Sequence, residues 1–172
     1  HIFNWDGSPR LHHFAIAGAP LVMNDLIFYV WTPDGRLLWR TDPTGTGFYH
    51  FDRSGSTIEI TNGAGNQIAL FGYTPYGELL PGSSGSELFT YVGQYGVRAE
   101  EDLYEMGARY YDPASARFLT RDPIPPRLAD VKSLNPYAYA NQNPRRYVDV
   151  TGKEPEAVGP NLLELTRDSG LL

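Results

Sequence analysis

The chain has 172 residues, a net charge of −6 and no cysteine. This length fits one or two small domains, and the negative charge removes any general electrostatic case for nucleic-acid binding. The lack of cysteine excludes disulfides and thiolate metal sites, and no apolar run reaches the ~18 residues that a membrane-spanning helix needs.

The composition favours strands joined by frequent turns, because the chain contains 18 Gly, 14 Pro, 12 Tyr and 8 Phe. The segment His1–Phe3 is no secretory signal, and the missing initiator Met predicts a fragment or a processed product. The residues before Leu26 show no clear periodic spacing of apolar residues.

From Leu26 onwards, an aromatic strand, a tight turn and a returning strand recur about every 20 residues. The predicted strands are Leu26–Trp31, Arg36–Arg40, Phe48–Phe51, Ser56–Thr61, Gln67–Tyr73, Glu78–Leu80 and Phe89–Tyr91. One hairpin cannot bury its aromatic face alone, so neighbouring hairpins must stack on it. The aromatic rows expected to be buried contain Tyr29, Phe48, Phe51, Tyr73, Phe89 and Tyr91. A small β-sandwich or β-meander with irregular hairpins is the alternative fold.

The stretch Gly107–Pro123 (GARYYDPASARFLTRDP) is the strongest landmark of the chain. Asp112-Pro113 and Asp122-Pro123 are turn-starters, since Asp hydrogen-bonds its own backbone and Pro fixes φ. Between these turns Ala116–Arg121 is predicted as a strand, which makes an aromatic hairpin. Arg127–Leu134 is predicted to form one or two helical turns.

Two further segments follow, NPYAYANQNP at residues 135–144 and YVDVTG at residues 147–152. Together with the landmark, they resemble the Rhs-repeat-associated core domain, and the hairpins before it resemble degenerate YD repeats. The motif residues are Gly107, Arg109, Tyr110, Tyr111, Asp112, Pro113, Arg117, Phe118, Asp122, Pro123, Asn143, Pro144, Gly152 and Gly170. This family includes bacterial Rhs effectors and the C component of insecticidal toxin complexes.

The resemblance implies an all-β fold, in which repeated hairpins form part of a spiral shell that ends in a core, or plug, domain with little helix. It divides the chain into YD-repeat-like hairpins (1–88), the Rhs core (89–152) and a segment leading to a cleavage site (153–172). The implied partners are the rest of the shell, a C-terminal toxin cargo, and a secretion spike or toxin-complex component. The implied localisation is that of a secreted or delivered bacterial toxin or effector.

By the same resemblance, the shell sequesters a following toxin and releases it by aspartic autoproteolysis. The matching aspartates are Asp149 and Asp168, and the chain would be cut after Leu172 or Leu171. Two carboxyl groups that share a proton can act as acid and base, because two carboxyl groups so close together cannot both be ionised. Departures from the family pattern include Ala116, Pro125, Val150 and Lys153.

Other interpretations of the same residues stay open. From spacing alone, Asp149 and Asp168 are ordinary Asp-initiated turns, which would leave a non-cleaving structural shell segment. Exposed Tyr and Trp in hairpin turns could instead stack on sugars, as in a glycan-binding module. No cofactor and no metal site are predicted, because His12, His13 and His50 lack the spacing of metal ligands.

Overall fold

The computed structural model describes residues 12–16, 19–24, 27–126 and 131–158, and the regular secondary structure of these residues is almost entirely β. Seven antiparallel strands form one sheet in chain order. Their bounds are β1 His12–Ile16, β2 Ala19–Asn24, β3 Ile27–Trp31, β4 Leu37–Asp42, β5 Gly45–Phe51, β6 Thr57–Asn62 and β7 Gln67–Leu70. Strands β1 and β2 lie where the sequence shows no period.

A second antiparallel sheet of four strands has the order β11-β10-β9-β8. Its strands are β8 Arg98–Glu100, β9 Leu103–Met106, β10 Arg109–Asp112 and β11 Arg117–Phe118. Two short strands, β12 Tyr147–Val148 and β13 Glu156–Ala157, pair with each other. Helical structure within the described ranges is limited to three 3-10 turns, Gly93–Tyr95, Val131–Leu134 and Ala140–Gln142. The predicted all-β fold class is confirmed.

Four tight turns share one construction, which explains the repeat seen in the sequence. Each begins with a residue whose carbonyl accepts the N–H of a glycine three positions later, at distances between 2.9 and 3.1 Å. The pairs are Thr32 with Gly35, Asp52 with Gly55, Asn62 with Gly65, and Thr74 with Gly77. All four glycines have φ between 80° and 90°. A β-carbon disfavours this left-handed region, which accounts for glycine at the same place in every turn.

The buried residues form two clusters. The wall core lies on one face of the seven-stranded sheet and contains Tyr29, Trp31, Leu37, Tyr49, Ile60, Ala69, Phe71 and Phe89. The tyrosine core lies against the four-stranded sheet and contains Tyr91, Val92, Val97, Tyr104, Met106, Tyr111, Phe118, Tyr139, Ala140 and Val148. The division at residues 88 and 152 stays a prediction.

Three expectations from the sequence are wrong. Glu78–Leu80 forms no strand, and Leu79 makes only an isolated bridge with Tyr73. Phe48 is 40% exposed rather than buried, because it pairs with Trp39 on the face opposite to that of its buried neighbour Tyr49. Phe89–Tyr91 forms no strand but an irregular segment that joins the two cores. Phe89 packs edge-on against Trp31 in the wall core, while Tyr91 belongs to the tyrosine core.

The turn at residues 74–77 connects the two cores. Its three successive carbonyls, of Pro75, Tyr76 and Gly77, accept hydrogen bonds from tyrosine hydroxyls. The donors, in the same order, are Tyr91 at 3.0 Å, Tyr111 at 2.7 Å and Tyr104 at 2.9 Å. We call this arrangement the tyrosine clasp. None of the helical turns in the described ranges is long and apolar enough to cross a membrane.

Candidate functional site: a buried arginine with two aspartates

Arg109 is buried at the start of β10, with only 3% of its surface exposed. Side chains alternate between the two faces of a strand, so Arg109 shares the inward face with the fully buried Tyr111, whereas Tyr110 faces outward. The guanidinium carbon lies 3.6 Å from the centroid of the Phe118 ring, a cation–π geometry. The buried cation therefore needs anions nearby.

Two aspartates supply these anions. Nη2 of Arg109 lies 3.0 Å from Oδ2 of Asp122 and 3.2 Å from Oδ2 of Asp149. Nη1 donates a hydrogen bond to the carbonyl of Pro136 at 3.2 Å. One guanidinium nitrogen thus holds both carboxylates, which brings together two groups that are 27 positions apart in the sequence.

Asp149 follows β12 and is 1% exposed. Its Oδ1 accepts the backbone N–H of Lys153 at 3.0 Å and the hydroxyl of Thr151 at 3.4 Å. This is the Asp-initiated turn that the sequence predicts, but the second oxygen, Oδ2, faces Arg109. The same side chain therefore serves the turn and the charged site.

Gly107 and Gly152 let two turns approach closely and so carry Asp149 to Arg109. A β-carbon on Gly152 would lie 2.2 Å from the carbonyl oxygen of Met106, and Gly152 has φ +64°. A β-carbon on Gly107 would lie 2.5 Å from the carbonyl oxygen of Thr151. Only glycine fits either position, which explains why both of these motif positions are glycine.

Asp122 is held by its own turn. Its backbone N–H donates to the carbonyl of Pro136 at 2.9 Å, and its Oδ1 accepts the N–H of Ile124 at 2.8 Å. Oδ2 is left for Arg109, and the side chain keeps 22% of its surface exposed. Asp122 is therefore the more accessible carboxylate of the pair.

Burial raises the pKa of Asp149 above its ordinary value. The nearby charge of Asp122 raises this pKa further, while the N–H of Lys153 and the guanidinium of Arg109 act in the opposite direction. Asp149 thus holds a proton more readily than an ordinary aspartate does.

A cavity of about 260 Å³ lies beside the pair. Its walls include Arg109, Asp122, Asp149, Ile124, Pro125, Ser133, Asn135, Ala138, Asn141, Lys153, Glu154 and Pro155. The two carboxylates, a buried cation and several amide and hydroxyl groups therefore face one small polar space. Among the side chains that the structure describes, no group of three His, Cys, Asp or Glu is placed to hold a metal ion.

The other motif residues have structural positions. Tyr111 and Phe118 are buried in the tyrosine core, and Tyr110 is 40% exposed. Asp112 caps the turn at Pro113 by accepting the N–H of Ala114.

Further along the chain, the carbonyl of Asn143 accepts the N–H groups of Arg146 and Tyr147, and Pro144 beside it is buried. Arg117 forms a backbone bridge with Ala138, and Pro123 is exposed. Asp168, Gly170, Leu171 and Leu172 lie outside the described residues, so their assigned roles stay predictions.

The sequence interpretation placed Asp122 only in a turn and missed its place beside Asp149. The strand RYYD (Arg109–Asp112) indicates a buried arginine. Side chains two residues apart lie on the same face of a strand, so if Tyr111 faces the core, Arg109 does too. An arginine at an inward position needs carboxylates, and Asp122 is a motif residue close to it in sequence.

No protein-family model matches the chain. The chain is 34% identical over 128 residues to a tRNA3(Ser)-specific nuclease WapA of Bacillus spizizenii, over 72% of this chain and 5% of WapA. It is 33% identical over 106 residues to toxin subunit YenC2 of Yersinia entomophaga, over 58% of this chain and 10% of YenC2. The chain therefore spans a small part of the length of these relatives.

Solved structures of toxin complexes share the fold. A Tc holotoxin pore of Photorhabdus luminescens matches with a TM-score of 0.58 and 18% identity, over 92% of this chain and 9% of that chain. The crystal structure of TcdB2-TccC3 matches with a TM-score of 0.52 and 18% identity, over 88% and 10% of the two chains. The family resemblance drawn from the motifs is confirmed: the chain belongs to the Rhs/YD-repeat family.

Proposed function

We propose that this chain is a shell segment of a longer toxin carrier, and that the Asp122–Asp149 pair cleaves the carrier's own backbone downstream. The observation that carries the proposal is the pair itself: two carboxylates on one buried guanidinium nitrogen, beside a polar cavity. A purely structural ion pair needs one carboxylate for one arginine. A second one adds like-charge repulsion, which an acid–base pair uses to separate two pKa values.

The reaction would be hydrolysis of one peptide bond. Asp122, the more exposed carboxylate, accepts a proton from a water molecule as the water oxygen bonds to the carbonyl carbon. Asp149, whose raised pKa favours the protonated form, donates its proton to the leaving nitrogen as the C–N bond breaks. The products are a new carboxyl group and a new amino group. The enzyme turns over once, on itself.

The segment to be cut is proposed to follow Asp149 in the chain. The described structure ends at Val158, whose N–H donates to the carbonyl of Arg146, so the chain leaves from beside the β12–β13 pair. Leu172, or Leu171, stays the proposed site of cleavage. The resemblance implies Asp168 as the second carboxylate, and this residue lies outside the described residues. From the contacts of Arg109 we propose Asp122 in that role instead, with Asp168 next to the cleaved bond.

The proposed partners follow from the relatives. We propose the rest of the shell as the structural partner, a C-terminal toxin as cargo, and a secretion spike or toxin-complex component as the delivering machinery. The matched segment covers 5% of the nuclease WapA and 10% of the toxin subunit YenC2. We therefore assign a carrier role to this segment and the effector activity to sequence outside it. Secretion or delivery as a toxin belongs to the same proposal.

The test uses the parent polypeptide, with the sequence before and after this segment, purified and followed by intact mass. We expect two fragments, the first ending at Leu172 or Leu171. Asp122→Asn and Asp149→Asn should each leave the polypeptide uncut, whereas Asp168→Asn should not stop cleavage. Asp112→Asn is the matched control, because Asp112 caps a similar Asp-Pro turn away from the cavity. An uncut wild-type chain would leave the structural shell segment as the function.

The glycan-binding alternative receives little support from the tyrosines of the tyrosine core. Tyr91, Tyr104, Tyr111 and Tyr139 are at most 5% exposed. A sugar stacks on an accessible ring face. A glycan array with the parent polypeptide tests this alternative, and specific binding to a sugar would support it.

A further inference from the structure

The turn at Ala140–Gln142 has a backbone that ordinary residues avoid. The φ angles of Ala140, Asn141 and Gln142 are 49°, 53° and 57°, all in the left-handed region. Residues other than glycine visit this region singly, at a cost of about 1–2 kcal/mol each. Such strain persists where the surroundings enforce it, and it gathers at functional sites.

Three hydrogen bonds and one buried side chain enforce the turn. The N–H of Gln142 donates to the carbonyl of Tyr139 at 2.8 Å, and the N–H of Asn143 donates to the carbonyl of Ala140 at 2.9 Å. The hydroxyl of Tyr76, from the clasped turn, donates to the carbonyl of Gln142 at 3.3 Å. Ala140 is fully buried in the tyrosine core. Asn141, in the middle of the turn, is therefore held in place.

Asn141 lies in the wall of the cavity that Asp122 and Asp149 share. None of the hydrogen bonds among the described residues uses its carboxamide. The other amide in this wall is already engaged, since Oδ1 of Asn135 accepts the N–H of Tyr137 at 3.1 Å. Lys153 also lines the cavity but is exposed on a flexible side chain. The half-buried Asn141 is thus a neutral side-chain donor in this wall without an assigned partner among the described residues, whereas Nε of Arg109, the other unpartnered donor, belongs to the cation that holds the two carboxylates.

We infer that Asn141 is a catalytic residue whose side-chain NH₂ group donates a hydrogen bond to the carbonyl oxygen of the peptide that is cleaved. This inference rests on the proposed self-cleavage. When water adds to a peptide carbonyl, negative charge develops on the oxygen, while the two carboxylates are engaged with the water and the leaving nitrogen. A hydrogen-bond donor in the cavity wall would stabilise that oxygen. A neutral amide held by a strained turn does so without placing a further charge next to Arg109.

The test compares two glycine variants of the parent polypeptide. Asn141→Gly keeps the left-handed backbone and removes the amide, so we expect the first-order rate of self-cleavage to fall about 10²-fold. Gln142→Gly is the matched control, because Gln142 has the same backbone conformation but does not line the cavity. It should cleave at the wild-type rate. Both variants should fold with unfolding midpoints at or above that of the wild type, because glycine relieves the left-handed strain, and both should keep the wild-type shape of the pH–rate profile.

The outcomes separate this inference from the proposed function. If Asp149→Asn stops cleavage and Asn141→Gly cleaves at the wild-type rate, then the role of Asn141 is wrong and the proposed function stands. If Asn141→Gly shifts the pH–rate profile, then Asn141 acts by positioning the carboxylates, and the inferred contact with the carbonyl oxygen is wrong. A wild-type chain that is not cleaved overturns both.

Discussion

Arg109 is the residue on which the site depends, because its guanidinium serves four groups at once. It contacts Asp122, Asp149, the carbonyl of Pro136 and the ring of Phe118. A planar fork of donors suits this task, and the single ammonium of lysine does not. Arg109 is therefore the buried cation that contacts both carboxylates.

Arg109→Met should lower the free energy of unfolding by about 3–5 kcal/mol, because two carboxylates would remain with no cation between them. Urea unfolding at neutral pH measures the change. Arg36→Met is the control, since Arg36 pairs with Asp34 at the surface and its side chain is 55% exposed; it should unfold like the wild type. A loss below about 1 kcal/mol for Arg109→Met would contradict the role given to the guanidinium.

Asp149 should make the unfolding free energy fall as the pH rises. A typical aspartate, whose pKa is lowered by folding, has the opposite effect. Its pKa is raised above 3.8 in the folded protein, so the folded state binds this proton more tightly than the unfolded state does. The stabilisation is complete below pH 3.8 and is lost as the pH rises through the raised pKa. Asp149→Asn removes this dependence.

The measurement is the difference in unfolding free energy between the wild type and Asp149→Asn at a series of pH values. We expect the unfolding free energy of Asp149→Asn to rise relative to that of the wild type as the pH increases through the raised pKa of Asp149. The slope is the readout, because the substitution also changes the contact with Arg109. A difference that does not change with pH, or that changes in the opposite direction, would show that burial is not the main influence on the pKa of Asp149.

At the scale of elements, the site is made by two turns that touch through glycine. The N–H of Ala108 donates to the carbonyl of Thr151 at 2.9 Å, and the missing β-carbons of Gly107 and Gly152 leave room for this contact. The turn before β10 therefore sets the position of the turn after β12, and with it the distance between Arg109 and Asp149.

A series of three glycine-to-alanine variants tests this contact. Gly152→Ala adds both backbone strain and a collision, Gly35→Ala adds strain in open space at φ +82°, and Gly63→Ala adds neither. The expected loss of unfolding free energy is near zero for Gly63→Ala, about 1–2 kcal/mol for Gly35→Ala, and larger for Gly152→Ala. Equal losses for Gly35→Ala and Gly152→Ala would mean that the turns do not need to touch.

The hairpins could be predicted from the sequence because each carries its own local signal. Strands β3 to β6 follow from alternating apolar residues and from glycine at the end of each turn, and the structure moves their ends by only a few residues. The exposure of Phe48 could not be predicted in this way. It depends on the register between β4 and β5, and a shift of one residue exchanges the two faces of a strand.

The site was predictable only in part, for a similar reason. Asp149 stands out through its family motif, and its turn geometry is local. The partnership of Asp122 with Asp149 depends on Arg109 and on the contact between distant turns, which no local pattern records. Strands β1 and β2 lack an alternating pattern in the sequence, so the pairing of β1 with β2 and of β2 with β3 could not be predicted from it.

At the scale of the whole molecule, the tyrosine clasp joins the wall core to the tyrosine core. The clasped turn belongs to the chain of the wall hairpins, and the three donors belong to the tyrosine core. Gly77 is required there, because a β-carbon on it would lie 2.6 Å from the ring of Tyr91. The hydroxyl of Tyr76 continues the connection to the strained turn beside the cavity.

Tyr104→Phe should weaken this connection. The variant leaves the buried carbonyl of Gly77 without its donor, which costs about 1–3 kcal/mol. Hydrogen exchange should become faster at the amide of Gly77, which belongs to the clasped turn. Tyr110→Phe removes an exposed hydroxyl bound to Glu100 and should leave exchange at Gly77 unchanged. Unchanged exchange in Tyr104→Phe as well would mean that the clasp does not hold the turn.

The pH–rate profile of self-cleavage tests the acid–base pair most directly. The parent polypeptide would be released from denaturant at a series of pH values, and the cleaved fraction would be followed by intact mass. The pair predicts a bell-shaped profile, because cleavage needs one ionised and one protonated carboxyl group, with a maximum between the two apparent pKa values of the pair. A rate that rises continuously with pH, or a chain that stays intact at every pH, would contradict an Asp122–Asp149 acid–base pair.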